Sequence, residues 1–320
     1  MTVLNYDEFM KIINGKRLFK LFPKDLKCYD IQYCENKTFI ANYFDECKCT
    51  NGIHFTSQDD ILYWFGARVE SYYFCEIIPN KEAKFIIFDS KIKTNICDVG
   101  KLFDARNLIK YLHKEIGLAK QDFQLNNFYV CRWVCHNGHI DVVKYLHQEI
   151  GLTKEDFQSS DNFACKYTCE NGHLDVVKYL HQEIGLTKKD FQSGDNEACI
   201  LACANGCIDI VKYLHQEIEL SKHDFQSYNN AACQLACEHG HINVIRYLHH
   251  IIGLTKQDFQ SDNNPICKWI CENGHIEVVK YLHKEIGLSK EDFQYFQFDE
   301  EFRHDEIIKY LHQEVGLTIS

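Results

Sequence analysis

The chain has 320 residues, 45% hydrophobic and 25% charged, which allows about two domains and excludes disorder as its overall state. Its 35 Lys+Arg against 46 Asp+Glu give a formal net charge of -11, which argues against a nucleic-acid partner, since phosphate binding needs a basic face. No apolar run approaches the ~18 residues that span a bilayer, so no membrane partner is expected. The first residues lack the order of a secretory signal, and 17 cysteines then read as free thiols, so the sequence predicts a soluble intracellular protein.

Residues 1–100 read as a small mixed α/β (α+β) module. Gly52, Ile53, His54, Phe55 and Thr56 fit a short strand that enters a capped helix over residues 56–65. Residues 72–78 and 83–88 fit two strands of a hairpin around Pro79, Asn80, Lys81 and Glu82. Cys28, Cys34, Cys47, Cys49 and His54 carry metal-ligating atoms, but their spacings match no standard zinc knuckle. His54 beside Thr56 suits a pocket, yet no partnered nucleophile or carboxylate pair accompanies it. No catalytic residue, metal or cofactor is assigned here, and the module reads as an accessory that caps the remainder of the chain or meets a second partner.

From residue 101 the chain repeats itself. Lys-Tyr-Leu-His recurs with its tyrosine at Tyr111, Tyr145, Tyr179, Tyr213 and Tyr281, as Arg-Tyr-Leu-His at Tyr247, and again at Tyr310. The spacing is 34 residues until a final step of 29. A partial unit over 101–125 precedes units 126–159, 160–193, 194–227, 228–261 and 262–293, and a C-terminal cap fills 294–320, with the polar run Asp299, Glu300, Glu301. Each unit reads as two helices. The first opens at an Asp/Asn pair expected to cap it, as at Asp161-Asn162, Asp195-Asn196 and Asn263-Asn264, the last followed by Pro265. It stops at Gly138, Gly172, Gly206, Gly240 or Gly274. The second carries a helical apolar stripe such as Leu174, Val177, Leu180 and Ile184, and ends at Gly185. The linker, with Thr187-x-x-Asp190 as a capping box, predicts one further turn of helix. One pair cannot bury its own stripe, so the units must stack.

Asn-Gly-His, then Leu or Ile, an acid and Val-Val-Lys-Tyr-Leu, at residues 137–146, 171–180 and 273–282, resembles the turn and second helix of the ankyrin repeat. Tetratricopeptide repeats share the period, but their Trp–Leu-Gly–Tyr pattern is missing. The linker at residues 147–158 and the Asn/Tyr/Lys/Phe-rich composition are similar to the ankyrin-repeat family of giant, mimivirus-like DNA viruses of amoebae. Some members of that family carry an N-terminal module similar to residues 52–88. The resemblance implies a mainly α, ankyrin-like α-solenoid that binds a host or viral protein partner without catalysis, and an intracellular site of action in the host cytoplasm. Phe163-Ala164-Cys165-Lys166 and Glu197-Ala198-Cys199-Ile200 replace the family's Thr-Pro-Leu-His, so β-fingers are not expected.

By the same resemblance Gly138, His139, Gly172, His173, Gly206, Gly240, His241, Gly274 and His275 are structural, the histidines steadying the turn. Cysteines at i and i+4, such as Cys165 and Cys169, face the neighbouring unit as small buried hydrophobes rather than as zinc ligands. A second histidine set, His113, His147, His181, His215, His249, His283 and His312, reads as a hydrogen-bonded ladder. Cys207 and Glu219 break the pattern of their unit, and Glu219 predicts a strained or reshaped loop. Partner contacts are expected where the units differ on the first helix, which lines the concave face in ankyrin arrays. These positions are Tyr129, Phe163 and Glu197; Arg132, Lys166, Ile200, Gln234 and Lys268; and His136, Glu170, Glu238 and Glu272. A competing reading makes residues 1–100 an adaptor for ubiquitin-ligase-type machinery, although no F-box pattern is present, and a third places a metal-dependent enzyme there.

Overall fold

The computed structural model describes residues 2–28, 31–42, 44, 52–67, 73–260, 265–294 and 304–317. Helix α1 (Tyr6–Ile13) opens on a capping box: Asn5 Oδ1 accepts the Glu8 N–H and Glu8 Oε2 accepts the Asn5 N–H. There follow β1 (Leu18–Phe22), β2 (Lys27–Cys28), β3 (Ile31–Gln32), β4 (Lys37–Ile40), β5 (Ile53–Ser57), helix α2 (Ile61–Ala67), β6 (Tyr73–Pro79), β7 (Phe85–Phe88), β8 (Lys91–Thr94) and β9 (Ile96–Asp104). Seven strands form an antiparallel sheet in the order β4-β9-β6-β1-β5-β8-β7, and β2 pairs with β3.

Strand β1 is buried along its whole length, as a central strand covered on both faces should be. On one face Phe9 and Ile13 of α1 pack with Leu18, Phe22, Phe55, Ile77, Phe85 and Val99, and Phe9 stacks on Phe85 at 3.9 Å. On the other, Phe19, Phe74 and Phe103 surround Tyr111 of α3 (Leu108–Tyr111), with ring centroids 6.2, 5.5 and 5.7 Å away. The Tyr111 hydroxyl accepts from Arg17 Nη1 at 2.9 Å and donates to Glu76 Oε2 at 3.4 Å.

The expected hairpin of residues 72–78 and 83–88 is corrected in its pairing. The first segment supplies β6 from Tyr73 and the second supplies β7 from Phe85, but β6 lies between β9 and β1 while β7 pairs with β8. The short turn between Phe88 and Lys91 gives β7 a nearer partner than the residues around Pro79 allow. Strand β9 also runs through residue 100 to Asp104. Cys47 and Cys49 lie outside the described residues.

The chain divides into two compact units, residues 1–134 with 139–152, and residues 135–138 with 153–320. Helices α4 (Lys120–His136) and α5 (Ile140–Gln148) lead into three repeated groups of one-turn, first and second helix. They are α6 (Lys154–Phe157), α7 (Ser159–Glu170) and α8 (Leu174–Gln182); α9 (Lys188–Phe191), α10 (Ser193–Ala204) and α11 (Ile208–Gln216); and α12 (Lys222–Phe225), α13 (Ser227–Glu238) and α14 (Ile242–His250). A fourth group is α15 (Lys256–Phe259), α16 (Pro265–Glu272) and α17 (Ile276–Lys284), followed by α18 (Lys290–Phe293) and α19 (Asp305–Tyr310). The architecture is therefore mainly α, stacked helix pairs preceded in sequence by a β-rich module.

The second helices bury their stripe as two adjacent positions per turn, Val176 and Val177, then Tyr179 and Leu180. The predicted linker helices are present, each capped by the Thr or Ser and Asp named by its sequence, as in Thr187 and Asp190. The Asp/Asn pairs do not cap the first helices. Ser160, Asp161 and Asn162 have φ of 54°, 59° and 55°, and Asp195, Asn196, Asn229 and Asn230 are also left-handed. The backbone bonds itself there, Asn162 N to Gln158 O at 3.1 Å, and Asp and Asn are the side chains that tolerate that region best. Asn263 and Asn264, like Asp299, Glu300 and Glu301, lie outside the described residues, and α16 begins at Pro265. Glu219 keeps the left-handed conformation, φ 63°, that glycine takes at the equivalent Gly185 and Gly253, so its loop is strained rather than reshaped.

Candidate protein-interaction surface

Three ladders join successive helix pairs within the second compact unit. At the inter-helix turns the glycine has positive φ, and the next unit's side chain lies flat on it. A Cβ on Gly138 would stand 2.3 Å from His173 Nδ1, and on Gly240 2.6 Å from His275 Nδ1. His173 Nε2 reaches the His136 carbonyl at 3.0 Å, and His304 repeats this on the Glu272 carbonyl at 2.9 Å. Burial lowers the His241 pKa, and a hydrogen bond to the Ala204 carbonyl opposes that shift. Cys207 takes the histidine position with Sγ 3.6 Å from the Glu170 carbonyl, a weaker link. His139 lies against Trp133, 4.8 Å between centroids.

The second ladder runs along the second helices. His181 Nδ1 meets Tyr213 Oη, His215 meets Tyr247, His249 meets Tyr281 and His283 meets Tyr310, all at 2.9 Å. His113 meets Tyr145 in the same way at 2.8 Å. For Tyr111, Arg17 just before β1 and Glu76 of β6 take the place of that histidine.

The third ladder joins the one-turn helices. Gln158, Gln192, Gln226 and Gln260 each donate Nε2 to the buried aspartate of the next unit, Asp190, Asp224, Asp258 or Asp292, at 2.6–2.7 Å. Lys154, Lys188, Lys222 and Lys256 stand 3.3–3.6 Å from the other oxygen of these carboxylates. Burial works against ionisation of these aspartates. Hydrogen bonds from the capping Thr or Ser and from the glutamine outweigh it, with the lysine beside them, so each pKa falls below its ordinary value. Sequence reasoning identified the capping box but missed the glutamine and lysine reaching into it. The signal was available, since Gln and Lys recur at one place in every unit.

The cysteine pairs of α7, α10, α13 and α16 are buried between units. Burial pushes the Cys135 and Cys271 thiols up to about 12, so they stay protonated at neutral pH. Among the described residues no group of three or more His, Cys, Asp or Glu side chains is placed to hold a metal ion, and no helix is long and apolar enough to cross a membrane. In the β-rich module His54 and Thr56 line one cleft with Lys20, Trp64 and Lys91, and the Thr56 hydroxyl donates to the Ser90 carbonyl at 2.8 Å.

The variable first-helix residues fall into two groups. Lys166 and Ile200 are buried, which corrects their place among exposed contacts. Lys166 Nζ bridges Asp161 at 2.7 Å and Glu197 at 2.8 Å, and Ile200 is among the buried residues of α10. Arg132, His136, Phe163, Glu170, Glu197, Gln234, Glu238 and Glu272 are half-buried and Lys268 is exposed. Phe163 stacks on Tyr167 at 3.6 Å, His136 lies 5.9 Å from the same ring, and Gln234 donates to the Asn229 carbonyl. Lys268 stands 3.7 Å from Glu272. The Tyr129 side chain lies outside the described residues. Tyr228, missed in the sequence, is 76% exposed at φ 51°, where the preceding units place Ser160 and Gly194.

A family model described as ankyrin repeats (3 copies) matches residues 167–259. That stretch contains α8 to α15, and its repeats indicate a protein–protein interaction scaffold. No curated protein matches the chain.

Proposed function

We propose that this protein is a non-enzymatic scaffold that holds one partner protein on the variable face of its first helices. The observation that supports this is the division of labour among residues. The side chains that bind unit to unit recur copy after copy: turn glycine, histidine, tyrosine, glutamine and aspartate. The half-exposed positions six and two residues before the turn glycine change chemistry: Gln234 against Lys268, and His136 against Glu238. A fixed frame that carries changing side chains suits recognition of one particular surface. The β-rich module, whose sheet receives Tyr111 where later units offer a histidine, serves as an accessory module of the scaffold. Buried protonated thiols suit a reducing intracellular compartment.

The test identifies partners by proximity labelling with the full chain, then measures binding of Gln234→Arg, Glu238→Arg and Lys268→Glu against Asp209→Arg and Lys212→Glu on a second helix. The first set should weaken binding at least about tenfold, the loss of one interface hot spot, and the second set should leave it unchanged. The reverse order would overturn the assignment.

A further inference from the structure

We infer that the contact between α14 and α17 is an acid-released joint, built from two imidazoles on one phenol. At the other joints the residue after the ladder histidine is not a second histidine. Gln182 bonds Tyr213 and Gln216 bonds Tyr247, so each tyrosine is shared by one imidazole and one amide. Only the unit 228–261 places His250 there. Tyr281 Oη lies 2.9 Å from His249 Nδ1 and 3.1 Å from His250 Nε2, and the two imidazole centroids are 4.6 Å apart. The charged groups facing this cluster are Arg246, 5.6 Å from the Tyr281 ring, and Glu285 on the next unit.

With both rings neutral the hydroxyl donates to one imidazole nitrogen and accepts from the N–H of the other, so all three groups are satisfied. Protonation of the accepting ring turns that nitrogen into a second donor. Two N–H groups then aim at one oxygen, the hydroxyl proton loses its acceptor, and an imidazolium stands beside Arg246 with the second imidazole 4.6 Å away. Glu285 supplies one opposing charge against these two cations. Burial holds the His249 pKa below its ordinary value, as does the neighbouring His250, while Glu285 acts the other way. A histidine whose folded pKa is depressed stabilises above its unfolded value of about 6.5, and that stability is lost as the pH falls through the folded value. The joints at Tyr213 and Tyr247 hold one imidazole each, so no second ring N–H competes for the hydroxyl there, and Lys178 over Tyr213 at 5.8 Å matches Arg246 over Tyr281, which makes them controls within the same chain.

Hydrogen exchange of the full chain at pH 7.5 and 5.5, corrected for intrinsic rates, tests this. Protection of Ile242–His250 and Ile276–Lys284 should fall roughly tenfold more than that of Leu174–Gln182 and Ile208–Gln216. His250→Gln, which installs the residue used at the other joints, should abolish the difference. Gln216→His should create a second acid-sensitive joint at Tyr247. Uniform loss of protection in the native chain, or an unchanged acid response in His250→Gln, would overturn the inference.

Discussion

Alanine at two turn glycines separates backbone strain from contact between units. Gly172 and Gly206 have φ of 78° and 71°, so Gly→Ala meets the same left-handed penalty of roughly 1–2 kcal/mol at each. Reduced freedom of the unfolded chain offsets about 0.4–1 kcal/mol at each site and cancels in the comparison. The surroundings differ. A Cβ on Gly206 would stand 2.5 Å from His241 Nδ1, whereas on Gly172 the nearest atom is Cys207 Sγ at 3.3 Å. Seating the methyl at Gly206 forces the imidazole off the turn and breaks its bond to the Ala204 carbonyl, at about 1 kcal/mol. Overpacking adds roughly 1–3 kcal/mol. Urea unfolding should therefore show Gly206→Ala more destabilising than Gly172→Ala by about 2–4 kcal/mol. In a His241→Cys background the extra cost should disappear, because that variant copies the Gly172 environment. Equal costs at the two glycines, or an extra cost that survives His241→Cys, would refute the stacking of the histidine on the turn as its cause.

Glu219→Gly should raise stability by about 1 kcal/mol in the same assay, since it removes left-handed strain and leaves the Lys188 bond to the residue 219 carbonyl in place. Asp224→Ala should cost about 3 kcal/mol, because the Ser221 N–H, the Ser221 hydroxyl and Gln192 Nε2 lose a shared acceptor. The four ladder aspartates have depressed folded pKa values, so their stabilisation is complete above the unfolded carboxyl pKa of about 3.9 and is lost as pH falls through the lower folded values. Circular dichroism should accordingly show a loss of helix below about pH 4. A thiol reagent at neutral pH should spare Cys165, Cys169, Cys199, Cys203, Cys233 and Cys237 in the folded chain and modify them after unfolding, as mass spectrometry would report.

The helical array was legible because its signals are local and repeated. The glycine stops, the apolar stripe and the Thr-x-x-Asp box each lie within one turn of helix, and five near-copies remove ambiguity about the period. The residues that join units were harder to assign. Gln158 meets Asp190 32 residues later, and only the stacking of the pairs brings them together. Asp161 and Asn162 misled because the same side chains favour helix caps and left-handed turns, and backbone bonding from Asn162 to Gln158 decided between them. In the β-rich module the strands were partly visible but their partners were not. Neighbouring strands such as β6 and β7 went to different places in the sheet, an outcome that non-local pairing decides. Lys166 showed the limit for the interaction surface, since its charge suggested exposure while Asp161 and Glu197 hold it buried.

The most direct test of the scaffold reading is photo-crosslinking from a reactive side chain installed at one position at a time in the full chain inside cells. Probes at residues 234, 238 and 268 should capture one and the same protein, while probes at residues 209 and 212 on the second helix should not. Capture from the second-helix positions, with none from the first, would contradict it.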